Sequence, residues 1–99
     1  MAKRDLIWSE RALKEYDMLL DYLWEEWGED ITLRVRDEID KTVLRIQNSP
    51  EQFPVVLKSK KIHRCVASPQ TSIFFKARKK TIEILSLFDN RRDPKTRNL

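Results

Sequence analysis

This chain has few of the residues from which small proteins usually build reactive or cross-linked sites. Its 99 residues include one glycine, Gly28, one cysteine, Cys65, and one histidine, His63. A single glycine excludes a glycine-rich phosphate-binding loop, and a single cysteine excludes an internal disulfide. One cysteine and one histidine do not complete a structural zinc site, so neither a metal nor another cofactor is expected.

Long hydrophobic runs are also missing. No apolar segment approaches the roughly 20 residues of a membrane-spanning helix, and no signal-peptide core follows Met1. Together with the single cysteine, these absences favour a cytoplasmic protein with no membrane partner. The length suits one domain over residues 1–99. Cys65 lies in an alternating strand pattern, where a free cysteine is typically a buried core residue.

Charge is plentiful but unevenly divided. Residues 1–50 carry 8 Lys/Arg and 12 Asp/Glu, whereas residues 51–99 carry 12 Lys/Arg and 4 Asp/Glu. The two halves therefore have net charges of −4 and +8, which the total of +4 conceals. Such asymmetry indicates a surface for a polyanion or an acidic partner, with an ordinary solvated basic face as the alternative.

The first half predicts a short strand followed by two helices. Asp5–Trp8 is the candidate strand, and Ser9 is a suitable N-cap for a helix that ends near Trp27. Gly28 falls where the apolar periodicity stops, which predicts a glycine with left-handed backbone after the helix. A second helix is expected from about Asp30 to Asn48, forming an antiparallel hairpin with the first.

The second half predicts a meander of three or four short strands. A first apolar run, 55–57, ends in Lys58, Lys60 and Lys61, and 62–67 alternates with Arg64 on one face and His63 and Cys65 on the other. Strands at 72–76 and 81–89 follow, separated by the turn Arg78-Lys79-Lys80. The last strand is expected to place Ile82, Ile84, Ser86 and Phe88 on one face, and Leu85 and Leu87 on the other. A frayed tail should follow Asn90.

These elements predict an α+β fold in which an N-terminal strand precedes a two-helix antiparallel hairpin. The hairpin packs on one face of a small, mainly antiparallel sheet. The same order of motifs resembles the RelE/ParE superfamily of toxins from bacterial type II toxin–antitoxin systems. The matching segments are Ile7-Trp8-Ser9, Asp21-Tyr22-Leu23, Trp27-Gly28, Ile46-Gln47-Asn48-Ser49-Pro50, Phe53-Pro54, Ile62-His63-Arg64 and the run from Ile84 to Pro94.

The resemblance implies a toxin that a cognate antitoxin neutralises, and it offers two kinds of target. RelE-like members cut mRNA on the ribosome, commonly with a strand arginine and a C-terminal His or Tyr. Here Ser72 stands at that arginine position, and Asn90, Arg91 and Arg92 follow the last strand. These departures favour the ParE-like branch, whose known target is DNA gyrase, and hence a protein that is not an enzyme.

Each of these alternatives implies its own set of site residues. The target-binding surface is predicted to consist of Arg64, Arg78, Lys79, Lys80, Arg91 and Arg92. Trp24 and Trp27, at the end of the first helix, are the candidate antitoxin anchors, although packing against the sheet would also explain them. If the chain is instead a ribosome-dependent mRNA endonuclease, then His63, Arg64 and Arg91 are its candidate catalytic residues. A third alternative is a non-toxic scaffold that only binds the antitoxin.

Overall fold

The predicted elements are present in the predicted order in a computed structural model, which describes residues 4–68 and 71–89. The first strand, β1, is Asp5–Trp8, and the helices α1 and α2 are Glu10–Trp27 and Glu29–Asn48. Four further strands follow, namely β2 Val55–Leu57, β3 Ile62–Ser68, β4 Thr71–Ala77 and β5 Thr81–Asp89. Short 3₁₀ turns at Pro50–Gln52 and Lys58–Lys60 precede β2 and β3. The predicted tail, 90–99, lies outside the described residues.

The sheet has the strand order β1-β5-β4-β3-β2. Strands β2 to β5 pair antiparallel in sequence order, which confirms the predicted meander. Strand β1 pairs with β5 in parallel, from Asp5 beside Thr81 to Trp8 beside Ile84. The parallel pair is possible because two helices separate β1 from the meander and return the chain to the sheet.

Residues at their ends determine where the two helices begin and stop. Ser9 caps α1, since its Oγ accepts a hydrogen bond from the Ala12 amide at 3.0 Å. Gly28 alone separates α1 from α2 and donates its amide to the carbonyls of Leu23 and Trp24. Its φ of 86° is positive, as predicted, but its ψ of −176° is far from the left-handed helical value. That combination of angles is accessible almost only to glycine.

The principal core lies between the helices and one face of the sheet, which we call the covered face. From the helices it takes Ala12, Ile39, Val43 and Ile46, and from the strands Cys65, Ile73, Phe75, Ile82, Ile84 and Leu87. A smaller apolar cluster lies on the other side of the sheet, which we call the opposite face. It consists of strand residues, with Ile62, Phe74 and Phe88 buried and Leu57 and Leu85 packed against them.

The alternation predicted for β5 is wrong in its second half. Pairing with β4 shifts register between Phe74, which lies beside Ser86, and Phe75, which lies beside Ile84. The extra residue, Leu85, breaks the two-residue period as a β-bulge does. Leu87 therefore joins Ile82 and Ile84 in the principal core, and Phe88 belongs to the other cluster.

A polar contact and an aromatic contact tie α1 to its neighbours. The Tyr16 hydroxyl donates to Asp40 Oδ1 of α2 at 2.9 Å, and the Tyr16 ring stacks on Trp8 of β1 with centroids 5.4 Å apart. Burial of the phenol, followed by this hydrogen bond to a carboxylate, raises the pKa of Tyr16 well above its usual value. Tyr16 therefore remains a protonated donor. Neither helix, over the described residues, is both long and apolar enough to cross a membrane.

Candidate functional site

Arg64 and Ser72 form a polar contact on the opposite face of the sheet. Arg64 lies in β3 beside Phe74 of β4, and its Nε donates to Ser72 Oγ at 3.0 Å. Ser72 is fully buried and Arg64 is half-buried. Arg64, which is predicted to bind the target, is thus held against Ser72, the residue that the resemblance predicts at the strand-arginine position of RelE-like toxins.

His63 belongs to the covered face instead. Its Nδ1 lies 2.8 Å from the Phe53 carbonyl oxygen, and its ring stacks on Phe75 with centroids 4.9 Å apart. A carbonyl only accepts, so Nδ1 carries the proton in this contact. His63 and Arg64 are neighbours on a strand and project to opposite faces. The structure therefore does not bring together the first two members of the candidate nuclease set, and the third, Arg91, lies outside the described residues.

The predicted cations of the β4–β5 turn are exposed at one end of the sheet. Arg78, Lys79 and Lys80 all face solvent, and Arg78 Nη2 lies 3.7 Å from Glu83 Oε1. The start of β1 holds this turn in place. Arg4 Nε donates to the Arg78 carbonyl at 3.0 Å, and the Asp5 amide donates to the Lys80 carbonyl at 2.9 Å.

The six residues predicted to contact a target do not all gather at this turn. Arg64 lies beside Phe74, three residues before β4 ends, which places it about 10 Å from the turn along the strand. Strand β5 leaves the turn and ends at Asp89, about 26 Å away. Arg91 and Arg92 lie outside the described residues.

Three further cations, which are not among the residues predicted to bind the target, lie at the same end of the sheet. The β2–β3 connection carries Lys58, Lys60 and Lys61, all exposed. Since strand direction alternates in the meander, this connection and the β4–β5 turn must share one end of the sheet. The predicted order of the strands was therefore sufficient to place these three lysines at the same end of the sheet as the β4–β5 turn. We call Lys58, Lys60, Lys61, Arg78, Lys79 and Lys80 the basic rim.

The predicted antitoxin anchors are exposed on α1. Trp24 and Trp27 retain 54% and 61% of their accessible surface, so neither is a core residue. Leu13, also half exposed, lies eleven residues before Trp24 and therefore points in nearly the same direction. Of this helix, only Ala12 and Leu23 are buried. One flank of α1 therefore presents large apolar side chains to solvent, which is unusual for a surface without a partner.

No metal site accompanies these features: among residues 4–68 and 71–89, no three His, Cys, Asp or Glu side chains are grouped as metal ligands. Cys65 is buried and free, and burial raises the pKa of its thiol. It is therefore a poor nucleophile.

Comparison with known proteins gives matches in structure but not in sequence. No family model matches the chain, and no curated protein does. A structure of the chromosomal ParDE TA system from P. aeruginosa matches with a TM-score of 0.73 and 20% identity, over 87% of this chain and 95% of that one. A YoeB/ParE toxin from Agrobacterium tumefaciens matches with a TM-score of 0.58 and 12% identity, over 86% of this chain and 96% of that one. A copper-bound mutant toxin from Helicobacter pylori matches with a TM-score of 0.56 and 20% identity, over 89% of this chain and 96% of that one.

Proposed function

The chain has the fold of the RelE/ParE toxins, and from that premise we propose that it is the toxin of a bacterial type II toxin–antitoxin system. We further propose that it acts in the ParE-like manner, by inhibiting DNA gyrase, and that a cognate antitoxin neutralises it. Its site of action would be the cytoplasm. In this account the chain is not an enzyme, and it disables its target by binding.

The placement of His63 supports this choice over mRNA cleavage. Metal-free RNA cleavage needs a group that transfers protons beside the cation that stabilises the phosphorane. The one histidine is held against Phe53 and Phe75, on the face of β3 away from Arg64. Both tyrosines, Tyr16 and Tyr22, lie on α1. Arg64 thus has no histidine or tyrosine beside it on the opposite face.

The proposed target surface keeps the residues predicted from sequence, namely Arg64, Arg78, Lys79, Lys80, Arg91 and Arg92. Arginines clustered on a surface suit an acidic protein or a protein–DNA complex, because the planar guanidinium pairs well with carboxylate and phosphate. Gyrase holding its DNA would present both groups.

Supercoiling of relaxed plasmid by purified gyrase tests the proposed target. The chain should inhibit supercoiling, and Arg91→Glu with Arg92→Glu should abolish the inhibition. The matched control is Lys14→Glu with Arg34→Glu, which reverses two exposed helix cations and should inhibit like the parent. Undisturbed gyrase together with mRNA cleavage on added ribosomes would replace this proposal with the RelE-like one.

Co-purification with the protein encoded by the adjacent gene tests the antitoxin surface. Trp24→Ala with Trp27→Ala should weaken the complex strongly, since exposed aromatic residues are frequent interface anchors. The control is Met18→Ala, an equally exposed apolar residue elsewhere on α1. An equal loss in both variants, or in neither, would show that Trp24 and Trp27 are not the anchors.

A further inference from the structure

The basic rim concentrates charge that is dispersed in the sequence. Its two connections are separated by two strand spacings, which is about 10 Å. Glu83 gives Arg78 a partial counter-charge at 3.7 Å, across the β4–β5 turn. The contacts from Arg4 and Asp5 to the carbonyls of Arg78 and Lys80 hold that turn against β1. The backbone that carries these cations is thus held at the end of the sheet.

One rim residue occupies a backbone conformation that does not suit it. Lys61 has φ of 54° and ψ of 43°, the left-handed region that glycine and asparagine tolerate best. It is the only residue other than glycine with positive φ among residues 4–68 and 71–89. A lysine at this turn places a third cation within four residues, at a cost in local stability. A functional requirement for positive charge at position 61 would explain why lysine, and not glycine, occupies this left-handed position.

The composition of the rim distinguishes between two kinds of partner. Five of its six residues are lysines, and neither connection contains an aromatic residue. Lysine is depleted from protein–protein interfaces, which rely on aromatic and arginine anchors. Lysine point charges without apolar anchors are instead typical of contacts to nucleic acid phosphates, which depend on charge and not on sequence.

We propose that the basic rim binds the phosphate backbone of a nucleic acid without reading its bases. The exposed lysines supply the charge, and the strand pairing fixes the spacing of the two backbone segments that carry them. This inference does not depend on the proposed toxin function, because it concerns a binding activity of the chain itself. Should gyrase be the target, the rim would contact the DNA that the enzyme holds.

Fluorescence anisotropy with a labelled duplex DNA of about 20 base pairs, at about 50 to 200 mM salt, tests the proposal. Binding should weaken with a slope of log K against log salt of about −3 to −5. The test variant combines Lys58→Gln, Lys79→Gln and Lys80→Gln. Its slope should be less negative by about 2 to 3, and its affinity at low salt should be lower by at least about tenfold. A single-stranded RNA of equal length shows whether the phosphate ligand is limited to duplex DNA.

The control combines Lys14→Gln, Arg34→Gln and Lys41→Gln, which removes the same three charges from exposed helix positions. It should bind as the parent does, and circular dichroism checks that both variants are folded. Equal losses in the two variants would overturn the proposal, since only net charge would then matter. Absence of binding to both nucleic acids would also overturn it. So would displacement of the DNA by poly-glutamate at equal charge concentration, which would indicate an acidic protein ligand.

Discussion

The two faces of this sheet are built from the same strands but are put to different uses. The covered face is closed by two helices and carries the principal core, including the stacked pair His63 and Phe75. The opposite face carries a smaller cluster of strand residues and the contact between Arg64 and Ser72. Adjacent residues of β3 thus serve packing on one side and the proposed target surface on the other.

This difference shows why a residue type alone does not identify a site. His63 is the most obvious catalytic candidate in the sequence, but the two-residue period of β3 directs it into the packed side. Arg64, one position later, projects to the opposite face, beside the buried Phe74. Loss of a buried side chain should therefore affect stability on either face, whereas loss of the half-buried Arg64 should affect mainly binding.

The largest expected effect is Phe75→Ala. Phe75 is fully buried on the covered face, where it contacts both Phe53 and His63. Its truncation should cost about 3–5 kcal/mol of unfolding free energy, measured by denaturant titration. Val66→Ala on the opposite face is the matched control, because Val66 is 57% exposed and should change stability by no more than about 0.5 kcal/mol. Similar costs for both would contradict the assignment of Phe75 to the principal core and of Val66 to the surface.

Gly28→Ala should have the next largest effect. No heavy atom lies within 4 Å of the added Cβ, so the cost comes from backbone conformation and not from a clash. A φ of 86° with an extended ψ should cost alanine about 1–3 kcal/mol. Thermal melting monitors the loss. Unchanged stability would mean that the helix connection relaxes without disturbing the covered face.

Ser72→Ala examines the opposite face directly. It removes the acceptor of the Arg64 Nε hydrogen bond without creating a large cavity, so the cost should be about 1 kcal/mol. Inhibition of the target should decline as well, because Arg64 loses the contact that orients it. A loss of several kcal/mol would show that this face is as important to the core as the covered one.

Lys61→Gly should raise stability, by about 1 kcal/mol, because glycine removes the penalty for left-handed backbone. The same change should weaken nucleic acid binding, since it deletes one rim cation. Melting and anisotropy are measured on the same sample. Weaker folding or tighter binding would contradict the interpretation of Lys61.

The smallest effect concerns Cys65, which should resist alkylation in the folded protein near neutral pH. Burial raises the pKa of its thiol and keeps reagent away. Mass spectrometry should detect modification only at the rate of unfolding, and full modification in denaturant. Rapid reaction of the native protein would show that the covered face opens locally.

The sequence was sufficient for the elements but not for every side chain. Hydrophobic periodicity and end signals such as Ser9 located both helices, and alternation located β3 correctly. The bulge at Leu85 was not predictable, because it depends on how β5 pairs with β4 and not on β5 alone. The exposure of Trp24 and Trp27 was likewise open, since an apolar stripe on a helix can be wider than the sheet beneath it. The basic rim required the strand order as well as the charges.

Pulse labelling after induction in a sensitive bacterial host without antitoxin is the most direct test of the central claim. Thymidine and methionine incorporation are followed over the first minutes. Inhibition of gyrase predicts an early fall in thymidine incorporation with a DNA-damage response, while methionine incorporation continues. An early fall in methionine incorporation would contradict the account and support an mRNA endonuclease. Undiminished incorporation of both, with continued growth, would contradict any toxin function.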